Sequence, residues 1–159
     1  DLLSANHGGW YYELVDLGYN YRLTDMQAAL ATSQLTRADA GVHRRRQLAD
    51  RYTKAFRGAP IKTPVTPHGQ NHAWHLYVIQ TDRRKALYDF MKIKNVFCQV
   101  HYIPVHTMPY YQRLGHKQGD HPYAEAFYET CLSLPMYPSL TDEQQDYVVG
   151  CVLEFLGAS

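Results

Sequence analysis

A loop near the start of the chain carries two side chains suited to binding an anion. Residues 17–25 read Leu-Gly-Tyr-Asn-Tyr-Arg-Leu-Thr-Asp, and Asn20 and Arg22 can both donate hydrogen bonds just ahead of a helix start. Asparagine tolerates the turn geometry that follows a glycine, and a guanidinium pairs well with phosphate. Backbone N–H groups at a helix start favour an anion as well. A phosphate-contacting loop and an ordinary helix entry are equally good interpretations.

A second candidate is the segment of residues 101–106, which reads His-Tyr-Ile-Pro-Val-His. We expect a strand to end here in a turn restricted by Pro104. The imidazoles of His101 and His106 and the phenol of Tyr102 can donate to or accept from hydroxyls, carbonyls and phosphates. The segment therefore either contacts a polar ligand or caps the strand end.

The histidines and cysteines do not form a recognisable metal or nucleophile motif. The nearest histidine pairs, His101 with His106 and His116 with His121, are five apart, which is off the helical spacing of paired metal ligands. Cys98 and His101 point to opposite faces of a strand, because their offset is odd. The three cysteines are few, odd in number and set among apolar residues, so we predict buried free thiols and no metal.

Composition excludes several classes of partner. A formal net charge of +1, from 16 basic and 15 acidic side chains without long runs, would not attract nucleic acid or an anionic membrane. No stretch approaches the roughly 20 apolar residues that span a bilayer, and the first residues lack signal-peptide order. The expectation is a cytoplasmic protein.

Periodicity and capping signals predict the elements that position these residues. A capping box at Thr24–Gln27 starts one helix, and a second helix is predicted over residues 39–56. The second helix carries a cluster of arginines, which we interpret mainly as a solvated face: Arg44, Arg45, Arg46 and Arg51. Strands are predicted over residues 73–81 and 96–102. Further helices are predicted from Asp82, from Asp120 with Pro122, and from a second capping box at residues 141–144.

Two of these helices have apolar faces that can be specified. In the helix from Asp120, the residues at helical spacing are Tyr123, Phe127, Tyr128 and Cys131, and the last helix should bury Tyr147, Val148, Cys151, Val152 and Phe155. Helices and strands in this order predict an α+β fold, with a small sheet covered by helices. Residues 1–37, a loop plus one helix without a sheet, are expected to belong to a different domain from residues 38–159.

Four ordered segments make the chain resemble the DegT/DnrJ/StrS family of nucleotide-sugar aminotransferases. They are residues 17–35, the Ala-Trp-His-Leu-Tyr of residues 73–77, residues 101–111, and the Leu-Pro-Met-Tyr-Pro of residues 134–138. Residues 10–18 are most similar to the branch that aminates a UDP-4-keto-6-deoxy sugar on the route to pseudaminic acid.

This resemblance implies a fold-type-I enzyme that depends on pyridoxal phosphate and works as a homodimer. It would move an amino group from glutamate to C4 of the keto sugar. Residues 1–37 would end the large, cofactor-binding domain, and residues 38–159 would form the C-terminal small domain. Asn20, assisted by Arg22, would contact the phosphate of the partner subunit's cofactor, and Tyr19, His101, Tyr102 and His106 would contact the substrate.

The chain departs from the family pattern in its lysines. None of the six (Lys54, Lys62, Lys85, Lys92, Lys94 and Lys117) lies in the motif of the lysine that carries the cofactor. The chain is therefore expected to be a fragment that neither binds the cofactor covalently nor catalyses transamination alone. The alternatives are a stand-alone module for sugar nucleotides or proteins, and a dehydrating relative in which histidine replaces that lysine.

Overall fold

The computed structural model describes residues 18–19 and 21–157, and the chain divides into two compact units, Asp1–Arg37 and Ala38–Ser159. In the first unit, helix α1 (Asp25–Leu35) begins at the predicted capping box. The Thr24 hydroxyl accepts from the backbone N–H of Gln27, and the Gln27 side-chain oxygen accepts from the Thr24 N–H at 3.0 Å. Every residue of α1 is exposed within this chain, so local hydrogen bonds define its start.

Over its described residues, 38–157, the second unit combines helices with two short strands. Its helices are α2 (Ala38–Ala55), α3 (Arg84–Ile93), α4 (Pro109–Gln112), α5 (Pro122–Thr130) and α6 (Asp142–Leu156), and its strands are β1 (Tyr77–Gln80) and β2 (Cys131–Leu134). A 3-10 turn, Val105–Thr107, precedes α4. The predicted α+β class, with a small sheet covered by helices, is confirmed.

The sheet consists of β1 and β2, which pair antiparallel with Tyr77 opposite Leu134. An isolated bridge extends it on each side, because Lys62 pairs with Gln80 and Gln99 pairs with Ser133. Residue 99 therefore lies beside β2, and the 101–106 segment leaves directly from the edge of the sheet.

The core lies between the sheet and the helices of the second unit. Helix α3 packs against α6 and β2, and α2 packs against α6. The fully buried apolar side chains come from both strands and all three of these helices: Leu48, Ala49, Tyr52, Tyr77, Ile79, Leu87, Met91, Cys131, Leu132 and Val152.

Both predicted strands are longer than what the structure contains. The first was predicted over residues 73–81 but runs only from Tyr77 to Gln80, and Trp74 has a φ of 52°, a left-handed conformation outside the strand region. The second was predicted over residues 96–102 and is reduced to the single bridge at Gln99.

Strand β2 is an element that the sequence did not predict. Helical spacing assigns Cys131 to the helix before it, yet that helix ends at Thr130 and Cys131 begins the strand. All four residues of β2 are buried, so both of its faces are covered and the polar–apolar alternation of a half-exposed strand is missing.

The helix starts are predicted better where a full capping box is present. Thr141 and Gln144 form the second box ahead of α6, as predicted. The predicted start at Asp82 is wrong, because α3 has Arg83 at its N-cap without a side-chain bond. Tyr147 of α6 is more than half exposed, contrary to prediction, whereas Val148, Cys151 and Val152 are buried.

The arginine cluster of α2 binds neighbouring parts of the unit, so its interpretation as a mainly solvated face is wrong. Arg44 donates to the Leu140 carbonyl and to Asp142 at 2.8 Å, and this hydrogen bond holds the pKa of Asp142 below its usual value. Arg51 donates to Gln145 and Asp146 of α6. The cluster therefore joins α2 to the start of α6.

Arg45 makes the most carbonyl contacts of the cluster. Its Nη1 donates to the backbone oxygens of Trp74, His75 and Met136 at 3.2, 3.1 and 2.9 Å. Arg45→Ala should lower the free energy of unfolding by about 1.5–3 kcal/mol, because partly buried carbonyls lose a charged donor. Urea unfolding followed by circular dichroism measures this. The matched control is Arg46→Ala, since exposed Arg46 donates only to His72 among the described residues; equal losses in the two variants would contradict the assignment.

Candidate functional site

The predicted phosphate loop lies in the first unit, immediately before α1. Arg22 is exposed two residues ahead of the Thr24 cap, and the rings of Tyr19 and Tyr21 stack with centroids 5.6 Å apart. Asn20 lies outside the described residues. The guanidinium of Arg22 and the backbone N–H groups that begin α1 are both donors of the kind that hold phosphate.

The 101–106 segment of the second unit is held at its first end by the sheet. Gln99 exchanges both backbone hydrogen bonds with Ser133 of β2, and the Ser133 hydroxyl lies 2.8 Å from Nδ1 of His101. The ring of His101 meets the ring of Tyr102 edge to face at 4.6 Å. Tyr102 itself is 72% exposed, so its phenol is available to a ligand on the surface.

His106 holds the second end of the segment from inside the protein. It is 5% exposed, and its Nε2 lies 2.7 Å from Oε1 of Glu125 on α5. The hydrogen bond from His106 is the main cause that holds the pKa of the Glu125 carboxyl below its usual range. The ring of His121 meets His106 edge to face at 4.8 Å.

The predicted site residues therefore fall into two groups. Tyr19 and Arg22 are in the first unit, and His101, Tyr102 and His106 are in the second, where the first two are side by side and the third pairs with a carboxylate. Sequence reasoning missed Glu125. Its signal was weak: an acidic residue in the first turn of a helix that begins with proline.

The cysteines are free and buried, as predicted. Burial raises the pKa of the Cys98 thiol to about 12, so it stays protonated near neutral pH and lacks the thiolate that a nucleophile needs. Among the described residues, no three His, Cys, Asp or Glu side chains are arranged to hold a metal ion.

An apolar groove with a cavity volume of about 610 Å³ opens elsewhere on the second unit. Its walls include Phe97, Tyr137 and Tyr147, together with Leu140 and Val148. It contains none of the predicted site residues, so its size alone does not make it the site of chemistry.

The family model described as the DegT/DnrJ/EryC1/StrS aminotransferase family matches residues 3–153. The chain belongs to this family. Two curated relatives agree: the spore coat polysaccharide biosynthesis protein SpsC of Bacillus subtilis is 41% identical over 96% of the chain, and a pleiotropic regulatory protein of Geobacillus stearothermophilus is 39% identical over 91%. The chain spans about 41% and 40% of the lengths of these two relatives.

The chain also superposes on part of several solved structures. S. venezuelae DesV in complex with a ketimine intermediate superposes with a TM-score of 0.83 at 33% identity, covering 95% of this chain and 41% of DesV. Helicobacter pylori PseC, an aminotransferase involved in the biosynthesis of pseudoaminic acid, gives 0.80 at 27% identity, covering 98% of this chain and 43% of PseC. Within the part of the chain that the structure describes, no helix has the length and apolar character to cross a membrane.

Proposed function

We propose that these residues are part of a sugar aminotransferase that depends on pyridoxal phosphate. The single observation that carries the proposal is the match to DesV, whose structure contains a ketimine intermediate, at a TM-score of 0.83 over 95% of this chain. The proposed reaction moves the amino group of glutamate to C4 of a UDP-linked 4-keto-6-deoxy sugar, for cell-surface glycan synthesis. The likeness to SpsC and PseC supports that substrate class.

The cofactor's phosphate end fits the first unit. Exposed Arg22 supplies a guanidinium, and the start of α1 supplies backbone N–H groups, which together form a donor set for a dianion. Asn20, which lies outside the described residues, is assigned to the same phosphate from the family resemblance. In a homodimer, these donors would hold the cofactor of the partner subunit.

The lysines of this chain fit the cofactor poorly. A lysine that forms a bond to pyridoxal phosphate needs a lowered pKa, which desolvation or a neighbouring cation provides. Lys94 instead donates to both carboxylate oxygens of Glu154, which raises its pKa, and Lys85 pairs with Asp89. Exposed positions are occupied by Lys54, Lys62, Lys92 and Lys117. We infer that the covalent step depends on residues other than these and that the 159-residue chain alone is inactive.

Each group of residues then has a defined task. When bound, the cofactor supplies the electron sink that lets the amino group move between glutamate and the sugar. Arg22 holds the phosphate so that the cofactor keeps one orientation. Tyr102 presents a phenol to the sugar hydroxyls from a segment fixed by His101 and His106, which orients the keto carbon. Tyr19, whose ring stacks on Tyr21, is assigned to the substrate with them.

The experiment is transfer of ¹⁵N from labelled glutamate to a UDP-4-keto-6-deoxy-N-acetylhexosamine, detected by mass spectrometry of the sugar nucleotide. The complete polypeptide that carries this chain should produce labelled amino sugar, and the 159 residues alone should not. Transfer by the 159 residues alone would contradict the inference about the lysines. Tight binding of the UDP-sugar by the 159 residues, with no transfer by either polypeptide, would favour the binding-module alternative.

Arg22→Ala in the complete polypeptide should raise the dissociation constant of pyridoxal phosphate about 10- to 100-fold, because one charged hydrogen-bonding partner of the phosphate is lost. Titration of the cofactor's absorbance measures this. The matched control is Arg37→Ala, which removes another exposed arginine of the first unit, one that donates to Gln34. Equal weakening in both variants would remove Arg22 from the phosphate site.

A further inference from the structure

One carboxylate oxygen of the second unit receives hydrogen bonds from three places in the chain. Oε1 of Glu125 lies 2.7 Å from Nε2 of His106, accepts from the backbone N–H of Gly119 at 2.7 Å, and accepts more weakly from the N–H of His121 at 3.4 Å. The side chains of Glu125 and His106 are 16% and 6% exposed. A mostly buried carboxylate with several donors is well suited to hold chain segments in one arrangement.

The three donors lie on either side of α4 in the chain. His106 is in the 3-10 turn before α4, where the Thr107 hydroxyl donates a hydrogen bond to the Pro104 carbonyl. Gly119 is in the connection after α4, which is exposed over residues 113–120, and His121 is the N-cap residue of α5. Glu125 therefore links the end of the 101–106 segment to α5.

Residues 101–106 are consequently held at both ends by side-chain contacts, and we call this segment the arch. At one end, His101 is held by Ser133 of the sheet, and at the other, His106 is held by Glu125. Between them, Tyr102, Ile103 and Val105 are 72%, 49% and 60% exposed. Removing either support would free this exposed surface to move.

We propose that Glu125 is a positioning residue: its carboxylate fixes His106 and thereby keeps Tyr102 and its neighbours in the arrangement that receives the sugar. This inference rests on the proposed function, in which the arch contacts the sugar nucleotide. Glu125 does not touch the substrate, so its loss weakens sugar binding without removing a reacting group. Glutamate and the cofactor phosphate should be bound as before.

The kinetic test uses Glu125→Ala, Glu125→Gln and the control Glu129→Ala in the complete polypeptide. Glu129 is on the same helix and is exposed. Glu125→Ala should raise KM for the keto sugar about tenfold, with kcat and KM for glutamate within about threefold, as expected for lost ground-state and transition-state binding alike. Glu125→Gln keeps an acceptor oxygen and should restore KM to within about threefold of the unchanged enzyme. Glu129→Ala should have no effect.

A spectroscopic test separates failure of this inference from failure of the proposed function. Nitrogen-15 NMR of the 159-residue chain reports the ring nitrogens of His106 and the amide of Gly119. Both should shift in Glu125→Ala, shift less in Glu125→Gln and remain in place in Glu129→Ala. If they shift while KM for the sugar is unchanged, Glu125 is only structural and the inference is overturned, although the aminotransferase proposal stands. If the unchanged polypeptide transfers no ¹⁵N, the aminotransferase proposal and this inference both fail. If the NMR signals do not shift in Glu125→Ala, Glu125 does not hold His106 and Gly119, and only this inference is overturned.

Discussion

Replacing Tyr52 with alanine is expected to lower the free energy of unfolding of the second unit by about 3–5 kcal/mol. Tyr52 is fully buried on α2, and its ring stacks on Phe56 at 5.8 Å and meets Tyr77 of the sheet at 4.9 Å. Its hydroxyl also donates to the Pro135 carbonyl at 3.0 Å. Alanine would leave a large cavity between α2 and β1, and the Pro135 carbonyl would lose its donor. Equilibrium urea unfolding measures the resulting loss of unfolding free energy.

Tyr52→Phe separates the two contributions. Phenylalanine keeps the aromatic packing and removes only the hydroxyl, so it should cost about 1 kcal/mol. Burial raises the pKa of the Tyr52 phenol above its ordinary value, which agrees with a hydroxyl shielded from water. If Tyr52→Phe were as destabilising as Tyr52→Ala, the hydrogen bond to Pro135 rather than ring packing would dominate.

The features that could be predicted from the sequence are those whose causes are local. The boxes at Thr24–Gln27 and Thr141–Gln144 are complete within four residues, and both start helices as predicted. Leu48 and Tyr52 are four residues apart in α2, a helical spacing that places both on one face of the helix, and both are buried. These signals need no knowledge of distant chain segments.

The features that could not be predicted depend on distant partners. Strand β2 is short and buried on both faces, so only its pairing with β1 distinguishes it from the end of a helix. Arg45 reaches carbonyls as far as Met136, and His106 meets Glu125 across 19 positions of sequence. The candidate arch was recognisable from residues 101–106, but its support by Glu125 required the fold.

The second large effect is a loss of stability at high pH, and the buried thiol of Cys98 is its clearest cause. Burial raises the pKa of this thiol from 9.0 to about 12, so the folded chain keeps a proton that the unfolded chain releases above about pH 9. The unfolded state then binds fewer protons, and the free energy of unfolding falls as pH rises between the two values. From pH 9 to about pH 10.5, this one group should remove about 2 kcal/mol.

Cys98→Val tests this by keeping a side chain of similar volume without a titratable proton. Burial also raises the pKa values of Tyr52, Tyr77 and Cys131, so these groups contribute to the loss of stability at high pH as well. The test therefore compares how steeply the free energy of unfolding falls with pH in the two proteins. Urea unfolding at several pH values should give a decline that is shallower in the variant, by about 1 kcal/mol per pH unit once the pH is about one unit above 9. A change in packing energy moves the whole plot of unfolding free energy against pH up or down without changing its slope. Parallel plots for the two proteins would therefore mean that Cys98 has the same pKa in the folded and unfolded chain. A thiolate absorbance that rises near pH 9 in the native protein and is missing from native Cys98→Val would identify the same failure directly.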